Sequence, residues 1–314
     1  MNGNYETQQG SLAYEIVGET VAVTGYSGRD AEIVIPEEIA GLPVVWIGKK
    51  AFLSNKVLRK ITLPVCLAGI GDWAFAYCAR LESVVLPYHL LETGQGVFKE
   101  CGRLVRIENR NDTGGSRESD EGKSNRKDSG AGDLAWLLAA AVNQLDAFYL
   151  FDLENAGTQS WLAGWDARAK TLMALEDSDG FSKMLLCGEE DYGSRENDLG
   201  YYMEQKRRSK VRLAMLRLMH DYGLGEAFRI SLEEYLLSHI KGCRTEETWR
   251  VVLDEHGDDK AYYEFLTELG AVTQENFSGM MEDMGQQHTE MKAYLMRYHE
   301  SLRGERDAFS QFRL

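Results

Sequence analysis

A chain of 314 residues with a net charge of −15, 44% of it hydrophobic and 27% charged, is long enough for two domains and too apolar to stay disordered. The negative balance argues against phosphate backbones and anionic membranes as default partners, and no apolar run of about 18 residues is present to span a bilayer. Met1 to Gly10 shows neither a basic start nor an apolar stretch, and five cysteines without a CxxC pair fit a reducing compartment, so the expected location is cytoplasmic.

From Trp46 the chain repeats itself. WIGKKAFLSN (Trp46 to Asn55) returns as GIGDWAFAYC (Gly69 to Cys78) and, worn down, as ETGQGVFKEC (Glu92 to Cys101), at a step of 23 residues. Leu58, Leu81 and Leu104 align at this step, as do Ile61, Val84 and Ile107, and Leu63-Pro64 with Leu86-Pro87. Further columns are Ile47, Ile70 and Thr93; Gly48, Gly71 and Gly94; Phe52, Phe75 and Phe98; and Asn55, Cys78 and Cys101. The run Leu58-x-x-Ile61-x-Leu63 reads as a short strand closed by a proline that cannot donate to a ladder. Ala-Phe then sits on a brief turn with the ring inward. A single unit cannot bury its apolar face, whereas stacked units share a continuous strip of Leu, Ile and Phe. Arg59, Thr62, Glu82, Val85 and Arg106 alternate with the inward columns and form the candidate binding face.

The pattern L-x-x-I-x-L-P-x(5)-I-G-x-x-A-F-x-x-C/N resembles the bacterial surface-antigen (BspA-like) class of leucine-rich repeats, over roughly a third of the chain. Tyr14 to Gly48 is similar to the N-terminal cap of such arrays. The resemblance implies paired strands around Val21-Val23 and Ile33-Ile35, covering a short stack of about two and a half repeats. Members of the class are often secreted, whereas no export signal is visible in this chain.

Asn109 to Gly132 contains no large apolar residue and reads as a flexible linker. Beyond it the period turns helical. Asp133 can cap LAWLLAAAVNQL, and Thr158 to Leu175 places Trp161, Trp165, Ala169 and Leu172 on one face. A long helix is expected from about Glu196 to His220, and Ser231 with Glu234 forms a capping box before YLLSHI. GCRTEETWRVVLDEHG (Gly242 to Gly257) matches GAVTQENFSGMMEDMG (Gly270 to Gly285) at a step of 28, with Thr245 and Thr273 as caps, Trp249 and Phe277 as anchors, and glycines as stops. Each copy precedes an aromatic helix, which predicts stacked helical hairpins. LLCGEEDYGS, KRRSKVRLAMLRL and MKAYLMRYHE also resemble a helical region found after leucine-rich repeats in anaerobic Firmicutes, a grouping that implies no activity.

Reactive groups cluster in CGEED (Cys187 to Asp191). Cys187 could serve as a nucleophile or the carboxylates as ligands of a hard cation. No histidine follows nearby in sequence, and an inert cysteine beside an acidic helix start explains the same residues. Glu176 to Phe181 fails the calcium-loop spacing, because Leu175 and Leu186 would stand where oxygen donors are required. The histidines His89, His220, His239, His256, His288 and His299 show no metal-binding spacing. Cys78 and Cys101, in one column, come within about 5 Å, but Asn55 in the same column favours a row of small buried side chains over a disulfide. Lys206 to Arg212 is basic yet distributed around a helix and preceded by acidic runs, which favours salt pairing over nucleic-acid binding.

The expected architecture is α+β and multidomain: a capped leucine-rich-repeat solenoid over 1–108, a linker over 109–132, and an all-α domain of solenoid-like hairpins over 133–314. The expected function is non-catalytic recognition of another protein, without cofactor, metal, nucleic acid or membrane. The alternative is a hydrolytic or metal-dependent enzyme centred on Cys187 to Asp191.

Overall fold

The computed structural model describes residues 2–87, 92–110, 130–183 and 198–311. They divide between two compact units, Met1–Lys170 with His220–Gly223, and Thr171–Met219 with Leu224–Leu314.

The first unit begins with an antiparallel meander, β1 (Asn2–Glu6), β2 (Gly10–Val17) and β3 (Thr20–Gly28). Leu12, Val21 and Val23 are its fully buried side chains. Buried Asp30 ties the β1–β2 turn to the end of β3. Its carboxylate accepts the Thr7 hydroxyl, the Tyr26 hydroxyl at 2.8 Å and the Gln9 backbone N–H at 2.8 Å.

From β3 the chain winds into a β-solenoid with two parallel sheets. One continues through β6 (Leu42–Ile47), β8 (Gly69–Ile70) and β10 (Glu92–Thr93); β5 (Glu38–Ile39) hangs antiparallel on β6. The other stacks β4 (Glu32–Val34), β7 (Lys60–Thr62), β9 (Ser83–Pro87) and β11 (Arg106–Arg110). Ile33, Ile61, Val84 and Ile107 lie in register and point inward.

A third side of the coil is made of turns, and backbone hydrogen bonds join each turn to the next. Phe52 N–H donates to Ala74 O at 2.8 Å, and Phe75 N–H to Val97 O at 3.0 Å. The turns repeat their backbone conformation as well: Lys50, Trp73 and Gly96 are left-handed (φ 60°, 55°, 57°), and so are Ser54, Tyr77 and Glu100 (φ 58°, 60°, 57°). For residues with a Cβ this costs about 1–2 kcal/mol each, offset by the interturn ladder.

The Phe column is realised as a continuous stack. Ring centroids are 5.7 Å apart for Tyr26–Phe52, 5.1 Å for Phe52–Phe75 and 5.6 Å for Phe75–Phe98, with planes within 19° of parallel. Each buried Phe contributes roughly 1.5–3 kcal/mol by transfer from water, and each stacked pair about 0.5–1.5 kcal/mol more.

Two features of this half depart from the sequence reading. The solenoid has four turns rather than two and a half, because the first interval, Ile33 to Ile61, is 28 residues instead of the 23 of Ile61 to Val84 and Val84 to Ile107. The extra residues accommodate β5 and its turn through left-handed Ala40 and Gly41. The cap also differs: Val21-Val23 and Ile33 belong to different sheets and do not pair, and β1 and β2 extend the meander beyond the expected segment. Cys78 and Cys101 are free thiols, each donating to a carbonyl one turn back, Phe52 O and Phe75 O, both at 3.1 Å.

Helices close the other end of the stack within the same unit. α1 (Gly130–Asn143) lies against β11, followed by a 3₁₀ turn (Phe148–Leu150) and α2 (Gln159–Ala174), which starts in this unit. Trp161 Nε1–H donates to Leu150 O and Trp165 Nε1–H to Leu137 O, both at 2.9 Å, so two buried indoles lock α2 onto the preceding turn and α1. Asn143 Nδ2 donates to Leu104 O at 3.3 Å. His220 Nδ1 lies 3.0 Å from Asp133 Oδ1, and its ring stacks on Trp136 at 4.9 Å. The compact unit therefore runs past the expected boundary at 108 to Lys170. Of the expected linker, Asn109 and Arg110 continue β11 and Gly130 opens α1, while 111–129 lie outside the described residues.

The second unit is helical: α3 (Leu199–Met219), α4 (Glu226–Ser238), α5 (Glu247–Glu255), α6 (Lys260–Glu268), α7 (Phe277–Met284) and α8 (Thr289–Gln311). α3 packs on α4 and α5, and α8 on α6 and α7. The repeat of 28 residues places α5–α6 and α7–α8 as successive hairpins, with Trp249 fully buried and Phe277 stacked on His299 at 3.9 Å. Its caps are less alike than its anchors. The Thr273 hydroxyl accepts from Asn276 N–H and Asp259 caps α6, but α5 starts after Glu246 without a side-chain cap from Thr245. The expected capping box at Ser231 and Glu234 is absent, because α4 already starts at Glu226 and both residues sit inside it.

Candidate functional site

The outer surface of the β4–β7–β9–β11 sheet is built by alternation. With Ile33, Ile61, Val84 and Ile107 turned in, the flanking positions turn out, and the register sets them in two rows. One row is Glu32, Lys60, Ser83 and Arg106; the other is Val34, Thr62, Val85 and Glu108. Thr62 and Val85 are thus direct neighbours, while Arg106 stands in the other row. Arg59 and Glu82 precede their strands and form a further row, since Glu82 N–H donates to Arg59 O at 2.8 Å and Val105 N–H to Glu82 O at 3.0 Å.

Arg59 and Arg106 on this face are each paired with a neighbouring carboxylate. Arg59 Nη2 lies 2.9 Å from Glu82 Oε1, which raises the guanidinium above its usual range through that hydrogen bond, and Arg106 Nη2 lies 2.8 Å from Glu108 Oε1. Val85 and Val105 lie beside these pairs, and the well exposed Val34 stands at the opposite edge on β4. Sequence reasoning missed Val34, Lys60 and Glu108. For Val34 the signal was the step of 28 that relates it to Thr62; Lys60 and Glu108 stand on the step of 23, in the columns of Arg106 and Val85.

Other sequence candidates fall differently. The basic run on α3 is used internally: Arg207 contacts Glu247 and Asp177, Lys210 contacts Asp177, Arg208 contacts Asp254 and Glu255, and Arg212 contacts Glu255. Burial lowers the Arg208 guanidinium, yet its two carboxylates outweigh that and hold it above its usual value. Cys187 to Asp191, and His89, lie outside the described residues.

The helical unit carries an open cleft of about 710 Å³ lined by Asp254, His256, Asp258, Asp259, Asp283 and His288 among others. His288 Nδ1 sits 2.8 Å from Asp258 Oδ1, with the imidazole packed against Gly257. Burial depresses His256, which stacks on Tyr262 at 3.6 Å. Asp283 is already held by Lys241 and Trp249. Among the described residues no group of three or more His, Cys, Asp or Glu is arranged to hold a metal ion, and no helix is long and apolar enough to cross a membrane.

A parallel coil with inward Leu, Ile and Phe columns, strands on two walls and turns on the third defines a leucine-rich-repeat solenoid. Residues 31–114 match the family model described as BspA type Leucine rich repeat region, in six copies, and this part of the chain is such a region. No curated protein matches the chain. Among solved structures, a leucine rich cell surface protein from Faecalibacterium prausnitzii A2-165 is 23% identical, with 34% of this chain and 30% of that chain covered and a TM-score of 0.29. A leucine-rich repeat protein from Bacteroides capillosus ATCC 29799 is 27% identical over 32% of this chain and 78% of that one, with a TM-score of 0.29. A leucine rich repeat protein of T. pallidum is 27% identical over 32% and 61%, with a TM-score of 0.27. The chain spans about 30% of the length of the first of these.

Proposed function

We propose that the chain is a non-catalytic recognition module whose solenoid meets another protein through the outer strand face and the surface next to it. The observation behind this reading is the registered set of outward rows carrying Thr62, Val85 and Arg106, flanked by Arg59 and Glu82. Charge pairs that neutralise each other leave a rigid surface whose apolar centre can be covered without stranding an ion. Four strands of three to five residues span roughly 14 Å across and ~10–17 Å along the chain direction, an area of about 200 Å². That is far less than the ~800 Å² per partner of a standard interface, so a partner must reach beyond the strands. A cytoplasmic setting suits the free, buried Cys78 and Cys101.

The test is affinity capture with Arg59→Glu/Arg106→Glu and with Val85→Arg, each checked for a wild-type melting curve. Loss of a partner that wild type retains is the expected result. Retention of every partner by both variants sinks the strand-face assignment.

A further inference from the structure

The turn side of the coil carries exposed features that its stability does not require. Trp73 and Tyr77 are 42% and 46% exposed, and Leu53 of the preceding turn is 36% exposed. Trp73 stands in the column of Lys50 and Gly96, and Tyr77 in that of Ser54 and Glu100, all left-handed. In the third turn the Trp73 position is filled by glycine, the residue that suits this backbone. The Trp73 ring leans over that Gly96, where an added Cβ would come within 2.9 Å of it. Large aromatic side chains held outward on an unfavourable backbone point to a use for the side chains themselves.

The charge around them is opposite to that of the whole molecule. The three turns, 49–57, 72–80 and 95–103, hold six basic residues (Lys49, Lys50, Lys56, Arg80, Lys99, Arg103) against two acidic ones (Asp72, Glu100), in a chain of net −15. Asp72 is occupied by Lys49 at 3.5 Å and by the Gln95 backbone N–H at 2.9 Å. Lys50 lies 5.3 Å from the Trp73 ring centre. Lys56, Arg80, Lys99 and Arg103 are exposed and make no ion pair among the described residues. Arg80 and Arg103 share a column, one turn apart. On the strand face Arg59 and Arg106 are paired with Glu82 and Glu108 and only Lys60 has no ion pair among the described residues, whereas on the turn face four cations have none.

We infer that the turn face, centred on Trp73 and Tyr77 and ringed by Lys56, Arg80, Lys99 and Arg103, is a docking surface for an acidic protein segment bearing apolar or aromatic side chains. Tyr, Trp and Arg are the residues that dominate protein interfaces, and unpaired cations around an aromatic centre select a partner of opposite charge. The net −15 repels a long polyanion such as a nucleic acid more than a short acidic segment confined to this basic face, so the segment is the favoured occupant. This inference shares the recognition role proposed above but not its surface.

The test is fluorescence anisotropy of the full chain with a labelled peptide of Asp and Glu interrupted by single Phe and Leu residues. Controls are the same peptide with Lys for every acid, oligothymidylate and heparin. Wild type should bind the acidic peptide and not its Lys counterpart, about tenfold more weakly as salt rises from ~50 to ~300 mM. Arg80→Glu/Arg103→Glu and Trp73→Gly should each weaken binding about tenfold or more. Trp73→Gly should melt no lower than wild type, since glycine suits φ 55°, so its loss of binding is not a loss of fold. Arg59→Glu/Arg106→Glu should bind the peptide normally, which separates this surface from the strand face. No binding at low salt, or wild-type binding by both turn variants, overturns the inference. Oligothymidylate or heparin binding as tightly as the peptide overturns it in favour of a general polyanion surface. Self-association abolished by Arg80→Glu/Arg103→Glu overturns it in favour of a second copy of this acidic chain.

Discussion

Phe98 meets Phe151 edge-on, with ring centroids 5.9 Å apart and planes at 73°. The parallel stack that runs through Phe52, Phe75 and Phe98 thus ends on a residue beyond the repeats, just as it begins on Tyr26 before them. A stack of identical units has two open ends, and each exposes an apolar face unless something unlike a repeat covers it.

Phe151→Ala should lower unfolding stability by about 2 kcal/mol, less than a fully buried Phe because the ring is half-buried. Phe75→Ala, at the centre of the stack and fully buried, should cost about 3–5 kcal/mol. Urea melts followed by far-ultraviolet circular dichroism give both numbers. Equal, small effects would mean that the ring column is not what binds the turns together.

Legibility in the sequence followed the regularity of the backbone. The columns headed by Phe52, Leu58 and Ile61 could be read because a fixed step of 23 gives each turn the same hydrogen bonds and the same burial. The first turn was lost because β5 and its turn lengthen one interval, although Ile33 occupies the same column as Ile61. The helical closure was not separable by pattern: the period that seats Trp161 and Trp165 is that of any amphipathic helix, and it is their indole bonds to Leu150 and Leu137 that hold them to the 3₁₀ turn and to α1, which lies on β11. Of the candidate face, Thr62 and Val85 came out as neighbours because alternation is local. Arg59 and Glu82 lie before the strands, where side-chain direction depends on a bend that alternation does not encode.

The tie made by Asp30 is sensitive to acid. Its hydrogen bond from Thr7 leads, with those of Tyr26 and Gln9, in holding the carboxyl below its usual range. A depressed folded pKa contributes stability that is present above the unfolded value and is lost as pH falls through the folded one. The meander should therefore loosen in acid, below the ordinary carboxylate range. Asp30→Ala should cost about 2–3 kcal/mol at neutral pH by stranding three donors, and Asp30→Asn should flatten the acid limb. Hydrogen exchange at the Gln9 amide reports both; an amide equally protected in wild type and Asp30→Ala would refute the tie.

The thiols should separate by reactivity. Contact with Cys78, together with burial, pushes the Cys101 thiol far above its usual range, and both side chains are fully enclosed. Cys243 and Cys66 are exposed. Burial and nearby Glu37 raise Cys66, so it should alkylate more slowly than a free thiol at neutral pH. Pulsed iodoacetamide followed by peptide mass spectrometry should label Cys243 and Cys66 in the native protein, and Cys78 and Cys101 only in denaturant. Native labelling of Cys101 would mean that the turns part more readily than their hydrogen bonds imply.

In the helical unit Glu255 accepts both Arg208, at 3.0 Å, and Arg212, at 2.7 Å. Burial pushes its carboxyl up, but the two guanidiniums outweigh burial and leave it below the usual value. The pair is partly open to water, which limits the contribution to about 1 kcal/mol. Glu255→Gln should lower stability by that amount at neutral pH. The difference should shrink as pH falls through the depressed carboxyl value, because wild type then loses the same charge. Raising salt to ~0.5 M should also narrow it. Melting temperatures of the two proteins across the acid range decide the matter: a constant gap would assign the loss to packing, and the basic run on α3 would then be free of the structural role that its contacts with Asp254 and Glu255 give it.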